Sequence, residues 1–357
     1  GYVSARQALA ESLNIPAVKI LNSLGIEKSE RYLLQMQLFL SPEDKTLSLA
    51  LGGLSEGFTP REIAAAYTVF PNGGQYSPLA FIRKIEDSAG NTLYERKITS
   101  QKVFSEDTAA LINDMLANAA KTGTAKKLAT LPFPVCAKTG TSGTEEGNTD
   151  AWAVSYTPEH TITVWMGNAD NSLTDITGGG LPCHYALLLN KRLYRSARPA
   201  EFQSSPKVVE CLLDKISYER DHTVKLAASS APEQYILHEQ FRECNQPKEY
   251  GSTFGEPTAN AAIYYKNSRV YIELCQTEYY DYLIKRAENG KTTALFDGHC
   301  DGNYCDDNVL PNKKYTYSVT PYFVGSDGEK HFGKEMFLPS VYTKKEAAKP
   351  PKNWWAS

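Results

Sequence analysis

The chain has no excess of basic charge, no long apolar run and little cysteine. Its 357 residues carry 38 Lys and Arg against 41 Asp and Glu, a formal net charge of −3. That balance supplies no cationic footprint for a phosphate backbone, so no nucleic acid is expected as a partner. No stretch approaches the roughly 20 consecutive apolar residues that cross a bilayer, and no signal-peptide pattern opens the chain. Seven cysteines are too few to staple a chain of this length, and none shows zinc-type CxxC pairing. Cys300 and Cys305 bracket an Asp-Gly-Asn-Tyr loop that could close a disulfide, and Cys211 with Cys244 is a second possible pair. Seven reduced, packed thiols are the alternative. The odd count leaves at least one thiol without a partner in the chain. Asp297–Asn303 is rich in oxygen ligands but lacks calcium-loop spacing, so no metal is expected there.

What is present is ordinary globular material, 41% apolar and 22% charged, long enough for two or three folded units. Two helical pieces are expected over residues 4–24, split by Asn14-Ile-Pro16, with Pro16 near the start of the second and Gly25 past its end. Further helices are predicted over Pro60–Phe70, opened by Thr59 with Glu62 in its first turn, and over Glu106–Ala120, capped by Ser105. A hairpin is expected from Phe81–Glu86 and Thr92–Ile98 around an Asp87–Gly90 turn. Strands Val135–Thr139, Trp152–Tyr156 and Ile162–Met166 follow, the last two as a hairpin, and a helix over His184–Tyr194 closes this half. Helices followed by antiparallel strands mean an α+β arrangement.

Near residue 200 the pattern changes to short Tyr-, Val- and Thr-rich strands, clearest at Val270–Cys275, Asp281–Arg286, Thr293–Asp297 and Lys314–Val324, the signature of an all-β module. The run from Leu310 to Thr320 resembles the late strand of a fibronectin type III domain, with Tyr315 or Tyr317 as its packing tyrosine. The expected division is residues 1–200, a connecting β-rich segment 201–256, an Ig- or fibronectin-like sandwich over 257–343, and a flexible Lys/Pro-rich tail over 344–357 apart from whatever Trp354 and Trp355 touch.

Two segments carry candidate chemistry. Lys138-Thr139-Gly140-Thr141, with Ser142 after it, ends an apolar run. A cation, hydroxyls and a glycine on an exposed strand end suit a carboxylate lying beside an acyl group. Lys138, Thr139 and Thr141 would bind the anion, Gly140 would let a substrate lie against the backbone, and the Thr141 N–H would be one oxyanion donor. An ordinary strand ending in a Thr/Gly/Ser turn is the plain alternative, and the same four letters recur at Lys121–Thr124. The second segment is Ser12-x-Asn14 at a helix junction. Its hydroxyl could relay a proton and its amide could hold a peptide bond, or both could simply cap the helix.

Ser-x-Asn followed by Lys-Thr-Gly resembles the penicillin-interactive serine acyltransferases, whose third motif is Ser-x-x-Lys. The stretches Val3–Val18, Leu47–Gly53, Phe58–Tyr67, Asn72–Gly74, Asp150–Pro158 and Thr163–Asn168 are similar more specifically to class A penicillin-binding proteins. The resemblance covers nearly all of residues 2–195 and makes Lys121–Thr124 a loop outside the chemistry. It implies a D,D-transpeptidase of peptidoglycan synthesis with a β-lactamase-like fold, probed by β-lactams that acylate the same serine. Stem peptides ending in D-Ala-D-Ala are the implied donors and a stem-peptide amine the acceptor. By resemblance, Ser12 relays the proton to the leaving amine, Asn14 holds the donor's peptide bond, Lys138 supplies the field, and Thr139 and Thr141 bind the terminal carboxylate. Ser142 extends that substrate wall, and no cofactor is implied.

The Ser-x-x-Lys pair should precede Ser12, yet only eleven residues do. The literal match Ser204-Ser-Pro-Lys207 lies in a proline-bearing linker and is given no role. The chain is therefore expected to be an excerpt, with the nucleophile, a glycosyltransferase domain and a membrane anchor upstream, and to work on the extracytoplasmic face. A silent scaffold or sensor, or a cell-wall-binding module, are the competing expectations.

Overall fold

Ser4 opens helix α1 (Ala5–Ala10) by accepting the Gln7 N–H at 3.0 Å, in a computed structural model that describes residues 2–275 and 278–344. Helix α2 (Asn14–Leu24) stops at Gly25, whose φ of 87° breaks the helix, and α3 (Ile26–Gln35) follows directly. Helix α4 (Pro60–Tyr67) begins with a full capping box: Thr59 Oγ1 accepts the Glu62 N–H while the Glu62 carboxylate accepts the Thr59 N–H. It ends at Tyr67, earlier than the apolar pattern suggests, because the chain turns over residues 68–74 to enter β1 (Gln75–Tyr76).

Strands β2 (Lys84–Glu86) and β3 (Thr92–Glu95) form the expected hairpin with a bulge after Ile85, though neither strand extends out to Phe81 or Ile98, and β4 (Gln101–Lys102) pairs with β1. Helix α5 (Glu106–Thr122) has Ser105 at its N-cap as expected, but the serine side chain makes no capping bond to the helix backbone. Its Oγ lies 2.7 Å from Thr108 Oγ1 instead.

The sheet that matters for chemistry has the order β5 (Cys136–Thr144), β6 (Gly147–Tyr156), β7 (Thr161–Gly167), all antiparallel. Strand β5 runs five residues past Thr139, so the Lys138–Thr141 segment is mid-strand, paired with residues 151–154 of β6. The extension forms because β6 also begins earlier than Trp152 and continues the ladder, with one bulge between Ser142 and Gly143. Helix α6 (Leu181–Leu193) begins three residues before His184, with Pro182 in its first turn, where a missing N–H costs nothing. Cys183, Ala186 and Leu187 of α6 pack with Ala137, Ala153 and Ile162 of the sheet.

Helix α5 is tied to β5 and β6 through Asn113, which is buried. Its amide accepts the Tyr156 hydroxyl at 2.8 Å and donates to Phe70 O at 3.1 Å, and its backbone carbonyl accepts the Cys136 thiol at 3.1 Å.

The chain forms two compact units. The first runs to Val209 and takes back Gln240–Asn245; the second holds Glu210–Glu239 and the chain from Gln246 on. The division falls within β8 (Val208–Asp214) and β9 (Ile236–Arg242), with α7 (Lys215–Asp221) between them.

The second unit is built on two antiparallel sheets. One has the order β10 (Asn260–Lys266), β11 (Arg269–Cys275), β14 (Asn303–Asp306). In the other, β12 (Asp281–Glu288) lies between β13 (Lys291–Gly298) and β15 (Lys314–Val324). Strands β16 (Lys330–Phe332), β17 (Met336–Phe337) and β18 (Val341–Tyr342) all add to β15. Alternating Val270, Ile272 and Leu274 of β11 share a core with Tyr282 and Ile284 of β12 and with Tyr315, Tyr317 and Val319 of β15, as sandwich packing requires. Both late-strand tyrosines are buried: Tyr315 Oη accepts the Leu310 N–H at 3.0 Å, and Tyr317 donates to Asp306 at 2.8 Å.

All seven cysteines are free, so neither suggested pair is bonded. Among the described residues no helix is long and apolar enough to cross a membrane, and no cluster of His, Cys, Asp and Glu could hold a metal ion. Trp354, Trp355 and the tail from residue 345 lie outside the described residues.

Candidate active site

Ser12 sits in an unusual turn. After α1 the Ser12 N–H donates to Leu9 O at 3.3 Å and the Leu13 N–H to Ala8 O at 2.9 Å, the paired bonds of a Schellman motif. The left-handed residue of that motif is Ser12, with φ of 58°, where glycine is the usual occupant. A serine there costs roughly 1–2 kcal/mol relative to an unstrained backbone, which a purely structural turn would avoid. Neither Ser12 nor Asn14 caps α2 with its side chain: the N-cap is Leu13, and Asn14 is the first helical residue. Both side chains are exposed.

This turn meets β5. Lys138 Nζ donates to Ser12 Oγ at 2.8 Å and to its own neighbour's carbonyl, Thr139 O, at 2.7 Å. Burial pulls the Lys138 amine down to about 8, and no carboxylate offsets it. An ammonium that gives its proton up near neutrality, touching a hydroxyl, can polarise that hydroxyl or exchange a proton with it. Ser12 Oγ accepts from Lys138 and keeps its own proton free to donate.

The rest of the motif divides between the two faces of β5. A Cβ added at Gly140 would make only an ordinary 3.6 Å contact with Trp152, so the protein's own packing does not demand glycine here. Space for a ligand against the backbone is the remaining reason for it. Thr139 is buried and its Oγ1 lies 2.6 Å from Thr124 Oγ1. Thr141 is exposed and its Oγ1 accepts the Gly178 N–H at 3.0 Å, which leaves the hydroxyl proton available. Ser142 donates to Asp150 at 3.2 Å; the same carboxylate accepts the Trp165 indole N–H at 2.8 Å and the Thr149 hydroxyl at 2.9 Å. Because β5 is the edge of its sheet, alternate N–H groups on its free side are open to an added strand or a carbonyl oxygen.

A cleft of about 630 Å³ runs along this edge, lined by Lys138–Ser142, Trp152 and Trp165 on one side and by apolar residues such as Phe58 and Ile63 on the other. Cys136, two residues before Lys138, is no rival nucleophile: it is fully buried, and burial pushes its thiol up to about 12.

Two contributors lie outside the expected site residues. Thr124 belongs to the second Lys-Thr-Gly-Thr, and Gly178 to a Gly178-Gly179-Gly180 run. A Cβ at Gly178 would fall 2.4 Å from both Gly140 O and Trp152 O, so only glycine lets this segment lie on the strand pair. Three glycines just before a helix are the signal that could have marked it.

The family model for the penicillin binding protein transpeptidase domain matches residues 1–180. Penicillin-binding protein 1A/1B of Bacillus subtilis is 28% identical over 366 aligned residues, covering 96% of this chain and 39% of that protein. Penicillin-binding protein 1A of Clostridium botulinum is 30% identical over 220, covering 61% of this chain and 26% of its own length. The chain thus spans well under half the length of these relatives. Among solved structures, penicillin-binding protein 1A from Haemophilus influenzae superposes with a TM-score of 0.58 over 69% of this chain and 41% of its own, at 22% identity, a likeness of fold. With the Ser12 turn and the Lys138 strand joined and half of the chain matched by one family model, the chain belongs to the penicillin-binding protein transpeptidase family.

Proposed function

We propose that this chain supplies the substrate-binding wall of a peptidoglycan D,D-transpeptidase. The observation that carries the proposal is the 2.8 Å contact between Lys138 Nζ and Ser12 Oγ, which brings the two motifs together. In this mechanism a serine of a Ser-x-x-Lys pair outside these residues attacks the D-Ala-D-Ala carbonyl of a stem peptide. Ser12 passes a proton to the departing D-alanine amine, with Lys138 as its source of field and proton. Asn14 holds the donor's peptide bond. Thr141, with its hydroxyl proton free, binds the terminal carboxylate; Thr139, Gly140 and Ser142 shape the wall around it. The Thr141 N–H helps hold the oxyanion, an interaction that typically contributes about 3 kcal/mol in acyl transfer. The acyl group then passes to an amine of a second stem peptide. β-Lactams would acylate the same serine, and the substrate places the reaction on the extracytoplasmic face of a membrane, held there by an anchor outside these residues.

The same proposal takes residues 1–200 as the transpeptidase part, 201–256 as a connector and 257–343 as a fibronectin type III-like sandwich. Supporting it are the sheet orders β10-β11-β14 and β13-β12-β15-β16, and the Tyr315 hydroxyl that reaches back five residues to the Leu310 N–H.

The test is release of D-alanine from a D-Ala-D-Ala pentapeptide by protein carrying the complete transpeptidase domain, compared with Ser12→Ala. Release that depends on Ser12 is expected. No release by the unaltered protein would leave the scaffold or sensor alternative standing.

A further inference from the structure

The second Lys-Thr-Gly-Thr has no part in the chemistry above, yet it lies between the two halves of the site. Lys121 and Thr122 finish α5, and Gly123 is its C-cap. The Thr124 N–H donates to Ala10 O at 3.0 Å, two residues ahead of Ser12. The Thr124 side chain meets Thr139 Oγ1 at 2.6 Å, next to Lys138. Gly123 makes this approach possible, because a Cβ there would lie 2.2 Å from Ala10 O. One residue therefore bonds through its backbone to the end of α1 and through its side chain to β5.

We infer that Thr124 is a positioning residue for the transfer reaction, holding the Ser12 turn and the Lys138 strand at the separation where their side chains meet. The inference rests on the transpeptidase proposal. Helix α1 is only six residues long, and its Arg6–Asp114 ion pair with α5 secures its first turn. Its other end, where Ser12 begins, is held by the Thr124 N–H. On the β5 side, Thr139 is buried, so a hydroxyl there without its Thr124 partner would carry an unmade hydrogen bond. Strand β5 is paired only on its β6 side among the described residues, and the Thr124–Thr139 contact is a tie to it from outside the sheet. A duplicated tetrapeptide thus serves twice: one copy lines the cleft, and the other ties the Ser12 turn to the strand that carries the first.

The experiment compares Thr124→Val, which removes the hydroxyl at nearly constant shape and keeps the N–H, with Thr124→Ser, which keeps both. Second-order acylation by a fluorescent penicillin is measured on protein carrying the complete transpeptidase domain, with the unfolding midpoint recorded alongside. Thr124→Val is expected to acylate about tenfold more slowly and Thr124→Ser to stay within about threefold of the unaltered protein. Thr124→Val acylating at the unaltered rate overturns the inference. So does an equal loss in both variants, which would show that the hydroxyl is not the agent. Failure of the unaltered protein to acylate would instead remove the transpeptidase proposal, and this inference with it.

Discussion

Lys138 and Ser12, 126 residues apart in sequence, touch through Nζ and Oγ at 2.8 Å, and each is in a costly state to do so. Ser12 holds a left-handed backbone that favours glycine, and Lys138 is a half-buried amine without a carboxylate beside it. Costs gathered at one contact are what a site selected for chemistry shows.

Ser12→Gly separates the two demands on that residue. Glycine relieves the φ of 58° but adds unfolded-chain entropy, so a net gain on the order of 0.5 kcal/mol is expected in urea unfolding. Penicillin acylation should fall by about 100-fold, because the hydroxyl is gone. A variant less stable than the parent would show that the Ser12 turn is not strained.

Lys138→Met tests the half-buried amine. The folded amine titrates at about 8 against 10.5 for the free group, so between these values the unfolded chain binds more protons. Stability of the parent should therefore rise with pH across about 8 to 10.5, and below 8 the burial cost is fully present. The Met variant should lack that rise and be more stable at pH 7, by on the order of 2 kcal/mol. Identical pH profiles of unfolding would contradict this account of Lys138.

Asp306 anchors the second unit. It is buried at 3% exposure, accepts Arg286 and the Tyr317 hydroxyl at 2.8 Å each, and burial and this carboxylate together push the Tyr317 phenol far up. Asp306→Ala breaks the ion pair with the half-buried Arg286, which keeps its bond to Asn308 O, and leaves the buried Tyr317 hydroxyl without an acceptor, and it should cost about 3 kcal/mol. Tyr317→Phe should cost only about 1 kcal/mol. Urea unfolding monitored by tyrosine fluorescence reads both, and equal effects would mean the carboxylate is not the keystone.

Gly178→Ala probes the glycine run laid across β5 and β6. With its Cβ forced to 2.4 Å from Gly140 O and Trp152 O, the segment must move and lose its N–H bond to Thr141 Oγ1. A loss of roughly 1–3 kcal/mol is expected by calorimetry. An unchanged unfolding temperature would show that the segment does not pack as described.

Local signals carried far. The α1–α2 break, the capping box at Thr59 and the β6–β7 hairpin are all written in short windows of side-chain period and turn chemistry. In the second unit β11, β12, β13 and β15 are legible for the same reason, as short runs rich in β-branched and aromatic residues, whereas β10 and β14 are not. Long-range pairing was not legible. That β5 continues to Thr144 depends on residues 147–151 of β6 lying beside it. That Thr124 reaches both Ala10 and Thr139 depends on where α5 ends in space, which no window of sequence encodes. The identical tetrapeptides show this: Lys121–Thr124, which has no role by motif, touches Lys138–Thr141 through the Thr124 and Thr139 hydroxyls.

The most direct measurement is covalent labelling by fluorescent penicillin of protein carrying the complete transpeptidase domain, beside Lys138→Ala. The account predicts a labelled parent and a variant acylated about 100-fold more slowly. A parent that takes no label, or a variant labelled at the parent's rate, would contradict it.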